Sequence, residues 1–274
     1  MMKTIAYLGP AQTYTHLAAQ ARFGSRARYV HAPTVEDVFH AVEREQADCG
    51  VVPVENSLGG AVTHTLDRFI DFKHSPVRIR GEIQLEIRHH LITRPGVEPR
   101  DVALVLSHPQ VLTQCASWLQ AHLPWARRSE TLSSAEAVQR LLARPGRRNW
   151  AAIGSRELAD GRRLKAVRIH SPRENRTRFL ILALREPPRG RRNKTSLMFA
   201  LKDKPGALHD SLVPFKRHGI NLTKIESRPS RRRAWEYLFF VDFEGHVSDP
   251  RVQRALRSLR RRTSEVQILG SYPV

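Results

Sequence analysis

Hydrophobic residues recur along the first part of the chain with two periods, one typical of strands and one typical of amphipathic helices. Strands are predicted over KTIAYLG (3–9), ADCGVVPVE (47–55) and GEIQLEIRHHLI (81–92). Helices are predicted over THLAAQARFG (15–24), TVEDVFHAVERE (34–45) and the stripe formed by Val62, Leu66, Phe69 and Ile70. Thr34 and Asp37 have the spacing of a capping box, which marks the start of the second helix.

The same order of strands and helices then begins again. Strands are predicted over DVALVL (101–106), WAAIGS (150–155), KAVRIHS (165–171) and TRFLILAL (177–184). Helices are predicted over PQVLTQCASWLQAHL (109–123) and SSAEAVQRLLARPG (133–146), the latter with a Ser133/Glu136 capping box. Strands that alternate with helices predict an α/β fold with a largely parallel sheet. Two such batches predict two lobes, with a ligand cleft between them.

A third pattern follows a segment rich in proline and positive charge, REPPRGRRNK (185–194). Its elements are SLMFALKD, GALHDSLVPFKRHG, NLTKIESRP, AWEYLFFVDFEG, DPRVQRALRSLRRR and EVQILGS, which run from residue 196 to residue 271. This βαββαβ order is that of a ferredoxin-like domain. We therefore expect a two-lobed domain over residues 1–185, a linker over 186–194 and a ferredoxin-like domain over 195–274.

The net charge of +20 on 274 residues is large and rests mostly on arginine. It allows three interpretations: nucleic-acid binding, a coding sequence rich in G and C, or attraction of a small polyanionic substrate. No nucleic-acid-binding motif is recognisable, so no nucleic-acid partner is expected. No run approaches the ~20 apolar residues that span a bilayer, and no signal peptide is recognisable, so a cytoplasmic location without a membrane partner is expected.

Polar residues follow several of the predicted strands, where α/β folds bind ligands. Thr13 lies in GPAQTYTH (9–16), Glu55 and Asn56 lie in VPVENSLGG (52–60), and Ser107 and Gln110 lie in LSHPQ (106–110). Simple helix capping, with Ser107 as a cap, is the alternative explanation for these motifs. Cys49 and Cys115 lack metal-ligand spacing, and no nucleotide-binding loop is present, so no metal or cofactor is expected. The adjacent His89 and His90 are interpreted as ordinary strand residues.

Motifs along nearly the whole chain resemble those of bacterial prephenate dehydratases. They are GPAQTYTH, VVPVENSLGGAV, EIRHHLI, LSHPQVLTQC, AAIGS, NRTRF, KPGALHDSLVPF, GINLTKIESRP, FFVDFEGH and LGSYP. The resemblance implies a two-lobed catalytic domain similar to periplasmic binding proteins, followed by an ACT regulatory domain. It implies a carbon–oxygen lyase that converts prephenate to phenylpyruvate, water and CO2 without a cofactor. One departure is Gly59, where many family members have an acidic residue.

The resemblance also implies roles for particular residues. Thr177, between Arg176 and Arg178, is expected to supply the catalytic hydroxyl, with Asn56 and Gln110 beside it. Arg178 could neutralise a substrate carboxylate or brace the loop. Substrate contacts are expected from Thr13, Glu55, Ser107, Arg178 and Phe179, with Glu55 orienting its neighbours.

In the second domain the resemblance implies feedback inhibition by L-phenylalanine. Its site is expected at Gly206, Ala207, Leu208, Asn221, Leu222, Glu226, Ser227 and Arg228. ACT domains commonly pair their sheets, so a homodimer or homotetramer is expected. Two alternatives stay open, an arogenate dehydratase and a non-catalytic amino-acid sensor.

Overall fold

Three β-sheets and eight α-helices make up the part of the chain that the computed structural model describes, residues 2–144, 146, 149–170, 174–201, 204–231 and 236–274. The strands are β1 (Thr4–Leu8), β2 (Arg28–Ala32), β3 (Cys49–Asn56), β4 (Gly60–Ala61), β5 (Arg78–Glu86), β6 (His90–Thr93), β7 (Leu104–Ser107), β8 (Arg127–Glu130), β9 (Trp150–Gly154), β10 (Lys165–Arg168), β11 (Arg176–Ala183), β12 (Asn193–Ala200), β13 (Leu222–Pro229), β14 (Tyr237–Glu244) and β15 (Glu265–Pro273). The helices are α1 (Tyr14–Phe23), α2 (Val35–Glu43), α3 (Thr63–Asp71), α4 (Pro109–Gln114), α5 (Ala116–His122), α6 (Ser134–Ala143), α7 (Ala207–Arg217) and α8 (Pro250–Arg260). Of the predicted elements, residues 145, 171, 202–203 and 234–235 lie outside the described residues.

The first two sheets form the two predicted lobes. Strand order is β2-β1-β3-β11-β5 in the first lobe, with β4 beside β3, and β10-β6-β9-β7-β8 in the second. Strands β1, β2 and β3 are parallel, but β11 lies antiparallel between β3 and β5. The expectation of a largely parallel sheet is therefore wrong, and both sheets are mixed. The physical reason is that the second lobe is inserted after β5, so the chain re-enters the first sheet from the opposite direction.

The chain passes between the lobes twice, and the two crossings are hydrogen-bonded to each other. GEIQLEIRHHLI is divided by residues 87–89 into β5 and β6, although its alternation predicts one strand. The Ile87 amide donates to the Asn175 carbonyl at 2.7 Å, and the Ile169 amide donates to the His89 carbonyl at 2.9 Å. These bonds hold the outgoing chain at residues 87–89 beside Ile169 and Asn175 of the returning chain, between the lobes.

Local helix signals behave as the sequence predicts in most places. Thr34 and Asp37 form the complete capping box of α2, and α1 ends at Gly24, whose φ is 70°. Ser133 caps α6 by accepting from the Glu136 amide, while the Glu136 carboxylate accepts from the Leu132 amide instead of closing the box. The predicted helix over 109–123 is divided at Cys115 into α4 and α5. No helix among the described residues is long and apolar enough to cross a membrane.

The third sheet has the order β13-β14-β12-β15 and is antiparallel throughout, as the ferredoxin-like pattern requires. One face packs on α7 and α8 through Leu197, Phe199, Phe215, Val241 and Phe243. The other face packs directly on the first lobe, where residues of both domains share one hydrophobic core: Val54, Leu66, Phe69, Ile79, Leu180, Met198, Phe240, Leu269 and Tyr272. Strand β12 begins at Asn193, so the third sheet starts inside the predicted linker. The shared core fixes this sheet against the first lobe.

Gly270 marks the closest approach between the domains. A Cβ at this position of β15 would lie 2.8 Å from the Ile79 Cβ and 2.9 Å from the Ile79 carbonyl carbon. The backbone of β5 has no room to retreat, because β11 lies beside it in the sheet.

We expect Gly270→Ala to lower the free energy of unfolding by about 1–3 kcal/mol, the usual cost of forcing extra volume into a packed core. The measurement is chemical denaturation followed by circular dichroism. Gly81→Ala on β5 is the matched control, because its Cβ would meet only Ile181 Cδ1 at an ordinary 3.4 Å. Equal stability of the two variants would contradict the close packing of the domains.

Candidate active site

Asn56 and Thr177 face each other across the first sheet, at the end of β3 and the start of β11. They are directly opposed in the antiparallel ladder, so their side chains lie on the same face. The Asn56 Nδ2 donates to the Thr177 Oγ1 at 2.9 Å. Asn56 is 6% exposed, and Thr177 is partly buried. Asn56 of the VPVENSLGG motif and the predicted catalytic threonine thus meet in space, although 121 residues separate them.

The orientation of the Asn56 amide is set by the backbone. Its Oδ1 accepts from the Leu58 amide at 3.0 Å and the Gly59 amide at 2.8 Å, and a backbone N–H can only donate. The Nδ2 must therefore point the other way, toward Thr177. Because Nδ2 donates to the Thr177 oxygen, the threonine hydroxyl hydrogen is not needed for this bond. The hydroxyl is free to donate to another group.

Three further side chains complete what we call the polar cluster: Asn56, His89, Gln114, Asn175 and Thr177. The Asn56 Nδ2 donates to the Asn175 Oδ1 at 2.7 Å. The Asn175 Nδ2 and the Gln114 Nε2 then donate onward, to Gln114 Oε1 at 3.1 Å and to Asn56 Oδ1 at 3.3 Å. Each amide thus fixes the orientation of the next, and the cluster has one consistent set of donors and acceptors.

His89 ends this chain of hydrogen bonds. Its Nε2 lies 2.8 Å from the Gln114 Oε1, and since that atom is an acceptor, Nε2 carries the hydrogen. Nδ1 is then an acceptor, and it is buried without a partner among the described residues. Burial lowers the pKa of His89 below its ordinary value of 6.5, and the bond to Gln114 opposes this more weakly. The imidazole is therefore neutral near pH 7, in agreement with its single donor.

Sequence reasoning missed Gln114, Asn175 and His89. Gln114 was detectable, because it follows Gln110 by four residues and so shares one helical face with it. Asn175 precedes Thr177 by two residues, which in extended chain puts both on one side. The interpretation of His89 as an ordinary strand residue is wrong, because the strand is broken at 87–89 and the imidazole enters the cleft.

The polar cluster borders a cleft of about 640 Å3 between the lobes. His89, Gln114 and Asn175 line it, together with the apolar side chains of Leu58 and Trp118. The remaining lining is Glu86, Ile87, Arg88, Thr113, Cys115, Ser117, Arg168, Ile169, His170 and Glu174. Burial raises the pKa of the Cys115 thiol to about 12, so it is not a thiolate nucleophile at neutral pH. The described residues contain no group of three or more His, Cys, Asp or Glu side chains that could hold a metal ion.

Gln110 lies against the loop that follows Asn56, outside the hydrogen-bonded cluster. A Cβ at Gly59 would overlap the Gln110 Nε2 and lie 3.4 Å from the Asn56 Oδ1. Glycine at position 59 therefore makes room for the Gln110 amide. This close packing gives a structural reason for the departure from the family pattern at Gly59.

Ser107 and Thr13 use their hydroxyl groups within the protein. Ser107 is fully buried and donates to the Ile153 carbonyl at 2.7 Å, so its predicted role as a helix cap is wrong. His108 caps α4 instead, because its imidazole accepts from the Gln110 amide. The Thr13 hydroxyl donates to the Pro10 carbonyl at 2.9 Å and stabilises the turn before α1. The structure therefore gives neither residue a hydroxyl hydrogen for the cleft.

Arg178, Glu55 and Phe179 do not face the cleft, which corrects the expectation of substrate contacts from them. Phe179 is 1% exposed in the core of the first lobe. Arg178 and Glu55 oppose each other in the ladder, one residue from Thr177 and Asn56, and alternation turns them to the opposite face of the sheet. That face is covered by the third sheet, so bracing, the second of the two roles considered for Arg178, fits its position.

Arg178 is the centre of an ionic contact between the domains, which we call the junction. Its guanidinium donates to Glu82 at 2.8 Å, to Asp242 at 2.6 Å and to the Tyr272 hydroxyl at 3.0 Å. The junction also contains Lys194, which pairs with Glu82 at 2.8 Å, and Lys224, which pairs with Glu55 at 3.1 Å. Three carboxylates thus meet three cations. Burial alone would lower the pKa of Arg178, but Asp242, Tyr272 and Glu82 raise it overall, so the guanidinium stays charged.

Arg176 differs from Arg178 although both flank Thr177. Its side chain is half exposed and pairs with Glu174 at 3.0 Å. It does not line the cleft. Neither arginine beside the threonine is therefore placed to hold a ligand in the cleft.

The predicted effector residues divide between two faces of the third sheet. Gly206 begins α7 with a φ of 76° and has open space around it, and Ser227 is exposed on the face of β13 that carries the helices. Glu226 and Arg228 point to the other face, because alternate residues of a strand do so. Arg228 makes a two-point ion pair with Asp67 of α3, at 3.0 and 3.1 Å, and Arg231 joins it. Arg228 thus connects the domains, which corrects its expected place in the effector site.

The remaining effector candidates lie near the same helix-covered face. Ala207 is buried at the start of α7, and Leu208 and Leu222 pack against the core beneath the helices. Asn221 is exposed just before β13.

The architecture is that of a two-lobed domain with a polar cleft, followed by a ferredoxin-like domain that is docked on one lobe. Family models agree: one described as prephenate dehydratase matches residues 5–187, and one described as ACT domain matches residues 195–261. The chain belongs to the prephenate dehydratase family, and its activity is that of a carbon–oxygen lyase.

Individual relatives cover almost all of the chain. It is 45% identical over 273 residues to a bifunctional chorismate mutase/prephenate dehydratase of Aquifex aeolicus, covering 98% of this chain and 73% of that one. It is 36% identical over 282 residues to a prephenate dehydratase of Methanocaldococcus jannaschii, covering 100% and 99%. A crystal structure of prephenate dehydratase from Arthrobacter aurescens in complex with L-Phe is 33% identical, with a TM-score of 0.89 over 99% of this chain and 90% of that one.

The two arginines beside Thr177 should differ in their contribution to stability. We expect Arg178→Gln to lower the free energy of unfolding by about 3–5 kcal/mol, because it leaves the buried Asp242 carboxylate without its cationic partner and Glu82 with Lys194 alone. Arg176→Gln removes an exposed ion pair and should cost at most about 1 kcal/mol. Urea denaturation of both variants and the parent protein is the measurement. A small loss in Arg178→Gln would contradict the junction.

Proposed function

We propose that the polar cluster catalyses the dehydration and decarboxylation of prephenate, with the Thr177 hydroxyl donating a hydrogen bond to the departing hydroxide. One observation carries this assignment. The Asn56 amide, oriented by two backbone N–H groups, already donates to the Thr177 oxygen. The threonine hydrogen is therefore available to a ligand rather than to the protein. Asn56 also links Thr177 to Asn175, and through Asn175 to Gln114, both of which line the cleft.

The reaction needs only a donor at one end of the ring. When the ring carboxylate leaves as CO2, the electrons of its bond form a ring double bond, and the opposite carbon loses hydroxide. One proton completes the water molecule, and the aromatic product supplies the driving force. Hydroxide is a poor leaving group, so a positioned donor lowers the barrier. Threonine is a weak acid, so we assign it a hydrogen bond that strengthens as charge develops on the leaving oxygen.

Prephenate is favoured over arogenate by the charges that line the cleft. Arogenate carries an ammonium group where prephenate carries a keto group, and an ammonium group calls for a free carboxylate. Glu86 and Glu174 are the acidic residues in the described lining, and both are already paired, with Arg88 and Arg176. The keto acid needs no such partner.

The direct test is to supply the purified protein with prephenate or arogenate and to follow phenylpyruvate or phenylalanine. We expect turnover of prephenate with kcat/KM at least tenfold above that of arogenate, the ratio expected when one substrate leaves a charged group unpaired. Binding of an amino acid without turnover of either substrate would instead favour the sensor.

Removal of the hydroxyl provides the test of mechanism. We expect Thr177→Ala to lower kcat by about 10²-fold or more, the range associated with a lost proton-donating group. Thr177→Ser keeps the hydroxyl and should retain most of the activity, while circular dichroism checks that both variants are folded. Similar kcat values for alanine, serine and threonine at this position would refute the assigned role.

We also propose that L-phenylalanine binds the third sheet near Gly206 and Ser227 and inhibits the enzyme. The related structure from Arthrobacter aurescens is a complex with L-Phe, which supports this effector. Leu222, Ala207 and Leu208 supply apolar surface beneath the start of α7. The edge strand β13 exposes Ile225 to 46%, which supports pairing of two copies as a homodimer or homotetramer.

Replacement of Ser227 tests this site. We expect Ser227→Ala to raise the L-phenylalanine concentration for half-inhibition by about fivefold, the equivalent of one lost hydrogen bond, with turnover in the absence of effector unchanged. Thr223→Ala changes an exposed position on the same strand and is the matched control. L-phenylalanine should inhibit this variant as it inhibits the parent protein. An unchanged response of Ser227→Ala would place the effector elsewhere.

A further inference from the structure

Prephenate has two carboxylates with different fates. The ring carboxylate leaves as CO2, but the carboxylate of the pyruvyl side chain persists in the product. A persistent charge in a cleft is held most firmly by a cationic side chain that hydrogen-bonds to it. Arg178 is held in the junction, and Arg176 does not line the cleft, so an anchor for this charge lies among the residues that do line it.

Two arginines line the cleft among the described residues, and only one of them has a carboxylate partner. Arg88 binds Glu86 through two hydrogen bonds, at 2.8 and 2.6 Å. Arg168 is exposed, lines both this cleft and the depression beside it, and has no hydrogen bond or ion pair with any described side chain. The Glu86 carboxylate attracts Arg168 from a distance, but it is hydrogen-bonded to Arg88, so the guanidinium of Arg168 keeps its donors for a ligand.

The position of Arg168 is held by the crossing between the lobes. It ends β10, opposite His90 of β6, and the next residue donates its amide to the His89 carbonyl. Arg168 is therefore attached to the backbone that carries His89, at the edge of the polar cluster. An arginine fixed at its backbone but free at its guanidinium can reach toward a ligand that enters between the lobes.

We propose that Arg168 binds the side-chain carboxylate of the substrate and so anchors it in the cleft. This inference rests on the proposed function and deepens it. The pyruvyl group and the hydroxyl stand on opposite ring carbons of prephenate. Arg168 would hold one end of the molecule while Thr177 donates to the other. Arginine suits this task because its planar guanidinium matches a carboxylate with two parallel hydrogen bonds.

The anchor should contribute to binding of substrate and product alike, since both keep this carboxylate. We expect Arg168→Gln to raise KM for prephenate about tenfold or more while kcat changes less than about threefold. The inhibition constant of phenylpyruvate should rise by a similar factor. Phenylacetone, which lacks the carboxylate, should inhibit both forms equally. Arg168→Lys keeps the charge but cannot make two parallel hydrogen bonds to a carboxylate. Its KM should lie between those of the parent protein and Arg168→Gln.

Arg156→Gln is the matched control, because Arg156 lines a neighbouring depression of about 880 Å3 but not the cleft. It should leave KM unchanged. An unchanged KM in Arg168→Gln, or equal weakening of phenylpyruvate and phenylacetone, would overturn the anchor. Absence of prephenate turnover in the parent protein is a separate outcome, which would refute the proposed function itself. The phenylpyruvate and phenylacetone comparison can be made by calorimetry in that case and still decides whether Arg168 binds the carboxylate.

Discussion

The antiparallel pairing of β11 with β3 directs the ends of these strands to two opposite faces of one sheet. Opposed residues share a face, and consecutive residues alternate, so Asn56 and Thr177 turn to the cleft while Glu55 and Arg178 turn to the third sheet. A register shift of one residue would exchange the two sets and leave the arginine in the cleft and the threonine against Asp242. The active-site pair and the domain contact are therefore consequences of one register.

The junction disfavours such a shift of register more strongly than it raises the free energy of unfolding. Burying these charges, Glu55 only in part, costs free energy that their attraction repays only in part, so the ionic contact is weak evidence for stability. A displaced register, however, would leave at least one buried charge without its partner, which is expensive. The apolar core shared by the first lobe and the third sheet supplies the favourable term, through residues such as Phe69 and Phe240. The ionic contacts then select one arrangement of the two domains.

Local sequence patterns predict most of the strands and helices and some of the active-site residues. The hydrophobic periods located strands and helices, and the Thr34–Asp37 box marked the start of α2, because these features depend on neighbours in sequence. The antiparallel position of β11 and the break at 87–89 depend on an inserted lobe, which no local pattern reports. The same limit applied to the arginines. In the sequence, Arg176 and Arg178 both flank Thr177 and nothing local distinguishes their roles. The difference comes from Asp242, which is 64 residues from Arg178 in sequence and binds its guanidinium.

Strand β13 joins the two functions of the chain through the same alternation. Ser227 faces the helices and solvent, whereas Lys224, Glu226 and Arg228 face the first lobe. Lys224 holds Glu55, which adjoins Asn56, and Arg228 holds Asp67 of α3. Any movement of β13 against the first lobe must therefore break these ion pairs or carry their partners along. Because Glu55 and Asn56 are consecutive in β3, a displacement of Glu55 acts on the backbone that carries the Asn56 amide. The polar cluster is thus connected to the ACT sheet in two steps. The backbone of β3 joins Asn56 to Glu55, and an ion pair joins Glu55 to Lys224 of β13.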